Sequence, residues 1–262
     1  MVLAVAGNLT DVGRRRPENQ DYFGDFEPDD AIRELGRLVI VADGVGGHKG
    51  GRLASRLAVD VVAESYYRPI PGITRTGEGA PEIGERLRIA FQEANRRIYR
   101  KALDDRSLKG MASTCTALVL HRGWAHGGHV GDSRAYLFRR GALLQLTHDH
   151  SAVQERIDQG LLKESERRDH FERNLITRSL GFEPDVEPDV LTPLALERED
   201  RLLLCSDGLH GTISDEEIAS LLDTRDPMEA CERLVAAANR RGGPDNVTVQ
   251  VLRIDDPRAD IA

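Results

Sequence analysis

Short apolar runs bounded by turn residues recur along the chain: Val2–Ala6, Leu38–Ala42, Cys115–Leu120, Trp124–Val130, Ala135–Phe138, Leu143–Leu146, Leu202–Cys205 and Val247–Ile254. Rich in β-branched residues and punctuated by glycine, they predict strands. A helical period replaces them in Ala54–Tyr67, where Leu53, Leu57, Val61 and Val62 share a face, and again in Ile83–Leu103, Ser214–Leu222 and Met228–Asn239. Ser214, three residues before Glu217, and Pro227, just after Asp226, are helix-start signals.

The order of these elements restricts the fold. Two long helices follow the second apolar run, and four strands then come in succession. Tight turns at Arg122–Gly123 and Arg139–Gly141 imply antiparallel pairing. A regular strand–helix alternation is thereby excluded, and with it a doubly wound sheet or a TIM barrel. The expectation is an α+β layered sandwich. Polar residues fill His148–Leu180, which reads as an inserted surface subdomain with a short helix near Ala152–Gln159. With no long linker and no internal repeat, residues 1–262 read as one domain.

Composition narrows the partners. The 262 residues carry a formal net charge of −8, which suits the phosphate backbone of nucleic acid poorly. Hydrophobic residues at 40% and charged residues at 31% are globular values, so extensive disorder is not expected. Cys115, Cys205 and Cys231 each lie among apolar neighbours with neither zinc-site nor disulfide spacing, and read as reduced core thiols. The opening MVLAVAGNLTD lacks the basic region of a signal peptide, and no apolar stretch is long enough to span a membrane. A cytoplasmic monomer is the expectation.

Candidate chemistry begins with carboxylates. LVIVADG and LLLCSDG place Asp43 and Asp207 directly after buried runs, each followed by glycine. A strand end holds such a side chain rigidly, and the glycine lets other backbone approach. Asp-Gly after a strand is also an ordinary turn signature, so neither motif is decisive alone. Three more acids strengthen the case: Asp132 ends WAHGGHVGD, Asp245 precedes the strand VTVQVLRI, and Asp21 closes PENQD. Such oxygen ligands, without cysteine or an evident histidine cluster, select Mg²⁺ or Mn²⁺ over zinc.

The strings TDVGRRRPENQD, VADGVGGHKGG, ASTCTALVL, GDSRAYL, LTHDHS, ITRSLG, CSDGL and GGPDNVTV occur in that order from Thr10 to Val249. Together they resemble the metal-dependent serine/threonine phosphatases of the PP2C type (the PPM family), in their compact bacterial form. The resemblance implies a four-layer α-β-β-α sandwich of two antiparallel sheets flanked by helices, with His148–Leu180 as a flap beside a metal channel. It implies two Mn²⁺ or Mg²⁺ ions, bridged by Asp43 and ligated by the Gly44 carbonyl, Asp21, Asp207 and Asp245. Asp132 would help hold a weaker third ion. Two positions depart from the family pattern: Gln20 stands where many relatives have Glu, and Gly211 where many have Asp, which weakens the third site.

The same register makes Arg16 the phosphate-binding residue and leaves Arg14 and Arg15 as solvated neighbours. His48, in the glycine-rich loop, is the candidate proton donor to the leaving alkoxide. That loop is not a nucleotide site, since it lacks both GK[ST] and G-x-G-x-x-G spacing. The His148-Asp149-His150 run follows a strand rather than sitting in a helical array, so it reads as the turn that opens the flap, with Ser151 capping the next helix. Ser133 and Ser206 lack a nucleophile elbow. In ASTCTALVL the small residues read as close sheet packing. The expected activity is hydrolysis of phosphoserine and phosphothreonine by a metal-bridging hydroxide, on substrates of a cognate kinase. The alternative is a pseudophosphatase scaffold that binds phosphoproteins or kinases.

Overall fold

The computed structural model describes residues 2–29, 32–46, 49–70 and 80–258. Its strands are β1 (Leu3–Asp11), β2 (Asp21–Phe26), β3 (Arg37–Val45), β4 (Ala112–Ser113), β5 (Cys115–His121), β6 (Trp124–Val130), β7 (Arg134–Arg139), β8 (Ala142–Gln145), β9 (Asp189–Ala195), β10 (Arg201–Cys205) and β11 (Val247–Asp256). The helices are α1 (Lys49–Tyr67), α2 (Ala80–Asp104), α3 (Ala152–Asp158), α4 (Asp207–His210), α5 (Asp215–Leu222) and α6 (Pro227–Arg240). One sheet runs β1-β11-β10-β7-β8 and the other β2-β3-β5-β6-β9, with β4 added to β3. Every described pairing is antiparallel.

Strand β3 shows how the pattern makes the layers. Leu38, Ile40 and Ala42 pack with α1 and α2, while Val39 and Val41 point the other way, into the space between the sheets. Both faces are covered, so the strand reads as an unbroken apolar run rather than an alternating one. A third cluster, on β7, β10 and β11, is covered by α5 and α6. Three apolar layers between four structural ones are the expected α-β-β-α sandwich. At roughly 1.5–3 kcal/mol for each large apolar side chain fully buried, these layers dominate stability.

The four successive strands divide between the sheets. β5–β6 and β7–β8 are both hairpins, closed by Arg122–Gly123 and Arg140–Gly141 with positive φ at each residue, the twist-matched geometry for two-residue loops. The chain crosses from one sheet to the other between them, through Gly131, Asp132 and Ser133. That crossing delivers Asp132 to one end of the sandwich. Ser214 and Ser151 cap α5 and α3 as expected, accepting from Glu217 N and Gln154 N. The three cysteines are buried and free.

The flap is pinned at both ends of its loop. Ala152 N donates to Leu175 O, Thr177 N to His150 O, and Leu180 pairs with Ser113. Its root is more than a turn. Asp149 is buried and accepts a forked pair of bonds from Arg134, at 2.8 and 2.6 Å, plus a third from Arg167 at 3.2 Å. Arg134 also donates to Tyr136 Oη. Among the described residues no helix is long and apolar enough to cross a membrane.

Candidate metal centre

Asp43 occupies the end of β3, directly across the ladder from Asp21, the first residue of β2. Its backbone is clamped from the neighbouring strand: Asp43 N donates to Thr114 Oγ1 (2.8 Å), while Thr114 N and Ser113 Oγ donate to Asp43 O (2.9 and 3.0 Å). Thr114 Oγ1 and Ser133 Oγ also share a hydrogen bond (2.7 Å), which ties the clamp to the sheet-crossing loop. The small residues of ASTCTALVL therefore hold Asp43 in place. Sequence reasoning assigned them to packing alone, because nothing in the string signals a backbone clamp.

The two Asp-Gly motifs are close approaches rather than left-handed turns. A Cβ on Gly44 would lie 2.1 Å from the Gly51 carbonyl oxygen at the start of α1, and one on Gly208 only 1.9 Å from the Asn246 carbonyl oxygen. Neither residue has positive φ. Gly208 thus lets the loop carrying Asp245 and Asn246 lie against the Asp207 segment. Asn246 organises that loop. It donates to the Val12 and Glu18 carbonyls and accepts from Gln20 N.

Asp43, Gly44, Asp132, Asp207 and Asp245 all line one cleft of about 560 Å³, with Arg16 and Gln20 beside them. Asp21 does not line it. It lies behind Asp43, buried, and accepts from Ser206 Oγ at 2.7 Å. Ser206 is not placed as a nucleophile. Its hydroxyl instead serves Asp21 while accepting from Thr248 N. Arg16 reaches the cleft and donates from Nη2 to Asp245 Oδ2 (2.6 Å). His48 lies outside the described residues. His210, not anticipated, donates from Nε2 to the Asp132 carbonyl (2.9 Å).

The electrostatics are those of crowded acids. Asp43 is crowded by the charges of both Asp21 and Asp207. Burial, then the charges of Asp21, Asp207, Asp132 and Asp245, push its carboxyl well above the usual range. Burial raises Asp21 to about 6, even against the Ser206 hydrogen bond. Burial and the neighbouring Asp245 and Asp21 raise Asp207 to about 7. Asp132 is also pushed well up, by burial and Asp207. Asp149 is the contrast: burial alone would raise it, but Arg134 overrides this and holds it at about 2.

This donor set fits hard cations. Asp21 Oδ1, Asp132 Oδ1 and Asp207 Oδ1 are buried with no hydrogen-bond partner among the described residues. Orphaned, mutually repelling carboxylate oxygens are costly unless positive charge joins them. The described side chains do not by themselves close three ligands around one point. Asp245, in particular, is drawn onto Arg16 and its neighbour's amide. All-oxygen donors completed by backbone carbonyl and water suit Mg²⁺ or Mn²⁺, which rarely sit in all-protein cages.

The sandwich gathers aspartates at one mouth, with an arginine at the rim. The chain belongs to the protein phosphatase 2C family, whose model matches residues 14–247. It is 36% identical over 247 residues to the serine/threonine phosphatase stp of Listeria monocytogenes, covering 94% of both chains. The serine/threonine phosphatase of S. agalactiae superposes with a TM-score of 0.86 at 34% identity, over 97% of this chain and 100% of that one. The catalytic domain of the phosphatase PstP, solved in complex with two manganese ions, gives 0.80 at 32% identity, over 98% and 100%.

Proposed function

We propose that this chain is a metal-dependent protein phosphatase that hydrolyses phosphoserine and phosphothreonine at the Asp43 centre. The carrying observation is Asp43 itself: its backbone is fixed by three hydrogen bonds to Ser113 and Thr114, and its carboxylate is set among the acids Asp21 and Asp207. Asp43, the Gly44 carbonyl, Asp207 and Asp245 would hold two Mn²⁺ or Mg²⁺ ions, supported from behind by Asp21, with Asp132 open to a third. Bound there, such ions make hydroxide available near neutral pH and neutralise phosphoryl oxygens.

The chain's own residues supply the remainder. Arg16 spends one N–H on Asp245, and its other donors are left for phosphoryl oxygens in the parallel geometry that guanidinium favours. The clamps on Asp43 and the Ser206–Asp21 bond fix the acids before substrate arrives, so little reorganisation is needed during reaction. Leu175, Ile176 and Phe182 of the flap side give the cleft an apolar wall for the substrate chain. His48 is assigned the proton for the leaving alkoxide. The proposal extends to one domain over residues 1–262, acting as a cytoplasmic monomer on the substrates of a cognate kinase.

A scaffold would gain nothing from crowding mutually repelling acids at one mouth, because their repulsion lowers stability, so the centre favours hydrolysis. The test is phosphate release from a phosphothreonine peptide in Mn²⁺. Activity should vanish with EDTA and with Asp43→Asn, and activity that survives either refutes the proposal.

A further inference from the structure

Next to the carboxylate cleft is a second hollow of about 210 Å³, walled by the flap and joined to the first through Arg16, Asn174, Asp207 and Asp245. Its charges do not balance. Asp149 is taken up by Arg134 and Arg167. Asp245 accepts from Arg16, and Asp132 and Asp207 belong to the metal centre proposed above. Gly211, also in the lining, brings no charge.

Two guanidinium groups remain. Arg168 donates to the Ile213 carbonyl at 2.6 Å, an acceptor that orients the side chain without cancelling its charge. The acid it influences, Glu216, is exposed and stands outside the hollow's lining. Arg173 is exposed, lines the hollow, and has no hydrogen bond or ion pair for its guanidinium among the described residues. A guanidinium with no anion of its own, beside a second one held in place by a carbonyl, offers parallel donors that an oxyanion can take up without displacing an existing pair.

We propose that this hollow is a second anion subsite, taking a carboxylate or a second phosphate that the substrate chain carries beside its scissile phosphoresidue, with Arg173 as the principal donor. The proposal rests on the phosphatase reading and names its substrate class: phosphopeptides with an acidic or doubly phosphorylated flank. An extended peptide turns alternate side chains to the same face. A residue two positions from the phosphothreonine can therefore enter the hollow while the phosphoryl group occupies the metal cleft.

The test compares phosphothreonine peptides whose residue two positions away is Ala, Asp, Lys or a second phosphothreonine, with p-nitrophenyl phosphate as a substrate too small to reach the hollow. In Mn²⁺, kcat/KM should favour the Asp or doubly phosphorylated peptide over the Ala peptide by roughly ten-fold, carried by KM. The larger of the two preferences identifies the source of the anion. Arg173→Ala should erase that preference and Arg173→Glu should transfer it to the Lys peptide, both leaving p-nitrophenyl phosphate turnover unchanged. Equal kcat/KM for the four peptides in the wild type, or an acidic preference that persists in Arg173→Glu, overturns the subsite while leaving the phosphatase intact. A wild type inactive on p-nitrophenyl phosphate and on every peptide sinks the phosphatase reading and the subsite together.

Discussion

Asp21 and Asp43 face each other as register partners across β2 and β3, at the same end of the sandwich, and the charge of Asp21 raises the Asp43 carboxyl. Like charges directly opposite in a ladder are destabilising. Under the proposed function, a cation bound at Asp43 would turn this repulsion into affinity. From that relationship a dependence on pH and metal follows.

Without metal, the raised carboxyls should make the protein less stable as pH rises. Their folded pKa values, about 6 for Asp21 and about 7 for Asp207, lie above the ordinary 3.8. Groups shifted upward contribute stability that is fully present below the ordinary value and is lost as pH climbs through the folded one. His129 and His210, lowered to about 3 by burial and then by His150 and Arg134 respectively, act oppositely: their stability is present above about 6.5 and fades as pH falls. The metal-dependent part is isolated by the difference in melting temperature between Mn²⁺ and EDTA, which should widen from acid to neutral pH. In EDTA at neutral pH, Asp21→Asn should melt several degrees above the wild type.

Ser206→Ala should weaken metal binding by about 10–100-fold, the range for lost outer-shell partners. The hydroxyl donates to Asp21 and holds its carboxyl down, so its removal favours the protonated acid. Raising the pH should restore much of the loss in a calorimetric Mn²⁺ titration. A pH-independent defect would mean that Ser206 acts through packing instead.

At the flap root, removing Asp149 should cost about 3–5 kcal/mol, because Arg134 is then buried without an anion, whereas removing Arg134 should cost less, because Asp149 keeps Arg167. Exposed pairs such as Arg140–Glu197 are worth ~0–1 kcal/mol, so their loss should barely register. Urea unfolding of Asp149→Ala, Arg134→Met and the double variant checks this. The double variant should be more stable than Asp149→Ala alone.

Much of this was legible in the sequence. Strands buried on both faces announced themselves as apolar runs, and helices by their period. β2 did not, because DYFGDF carries two Asp and a Gly in six residues and owes its pairing to β3. β9 was hidden by Pro193, which an edge strand with irregular register tolerates. The acids were visible as residues following strands. That Asp21 sits behind the cleft, and that Thr114, Ser206 and Asn246 hold the acids in place, depends on contacts between distant segments that no local pattern records.

Gly208→Ala should place a methyl group against the Asn246 carbonyl, where a Cβ would come within 1.9 Å. Both are backbone, so the Asp245–Asn246 loop must move away from Asp207. Thermal melting should fall by roughly 5 °C or more, at about 2–4 °C per kcal/mol for a chain of this size. Mn²⁺ affinity should fall with it.

The two-cation centre is tested most directly by anomalous diffraction at the manganese edge from crystals of this protein soaked in Mn²⁺. Two adjacent peaks are predicted, both touching Asp43, with Asp207 and Asp245 on one of them. A single peak, or peaks beyond the reach of the Asp43 carboxylate, would contradict the account.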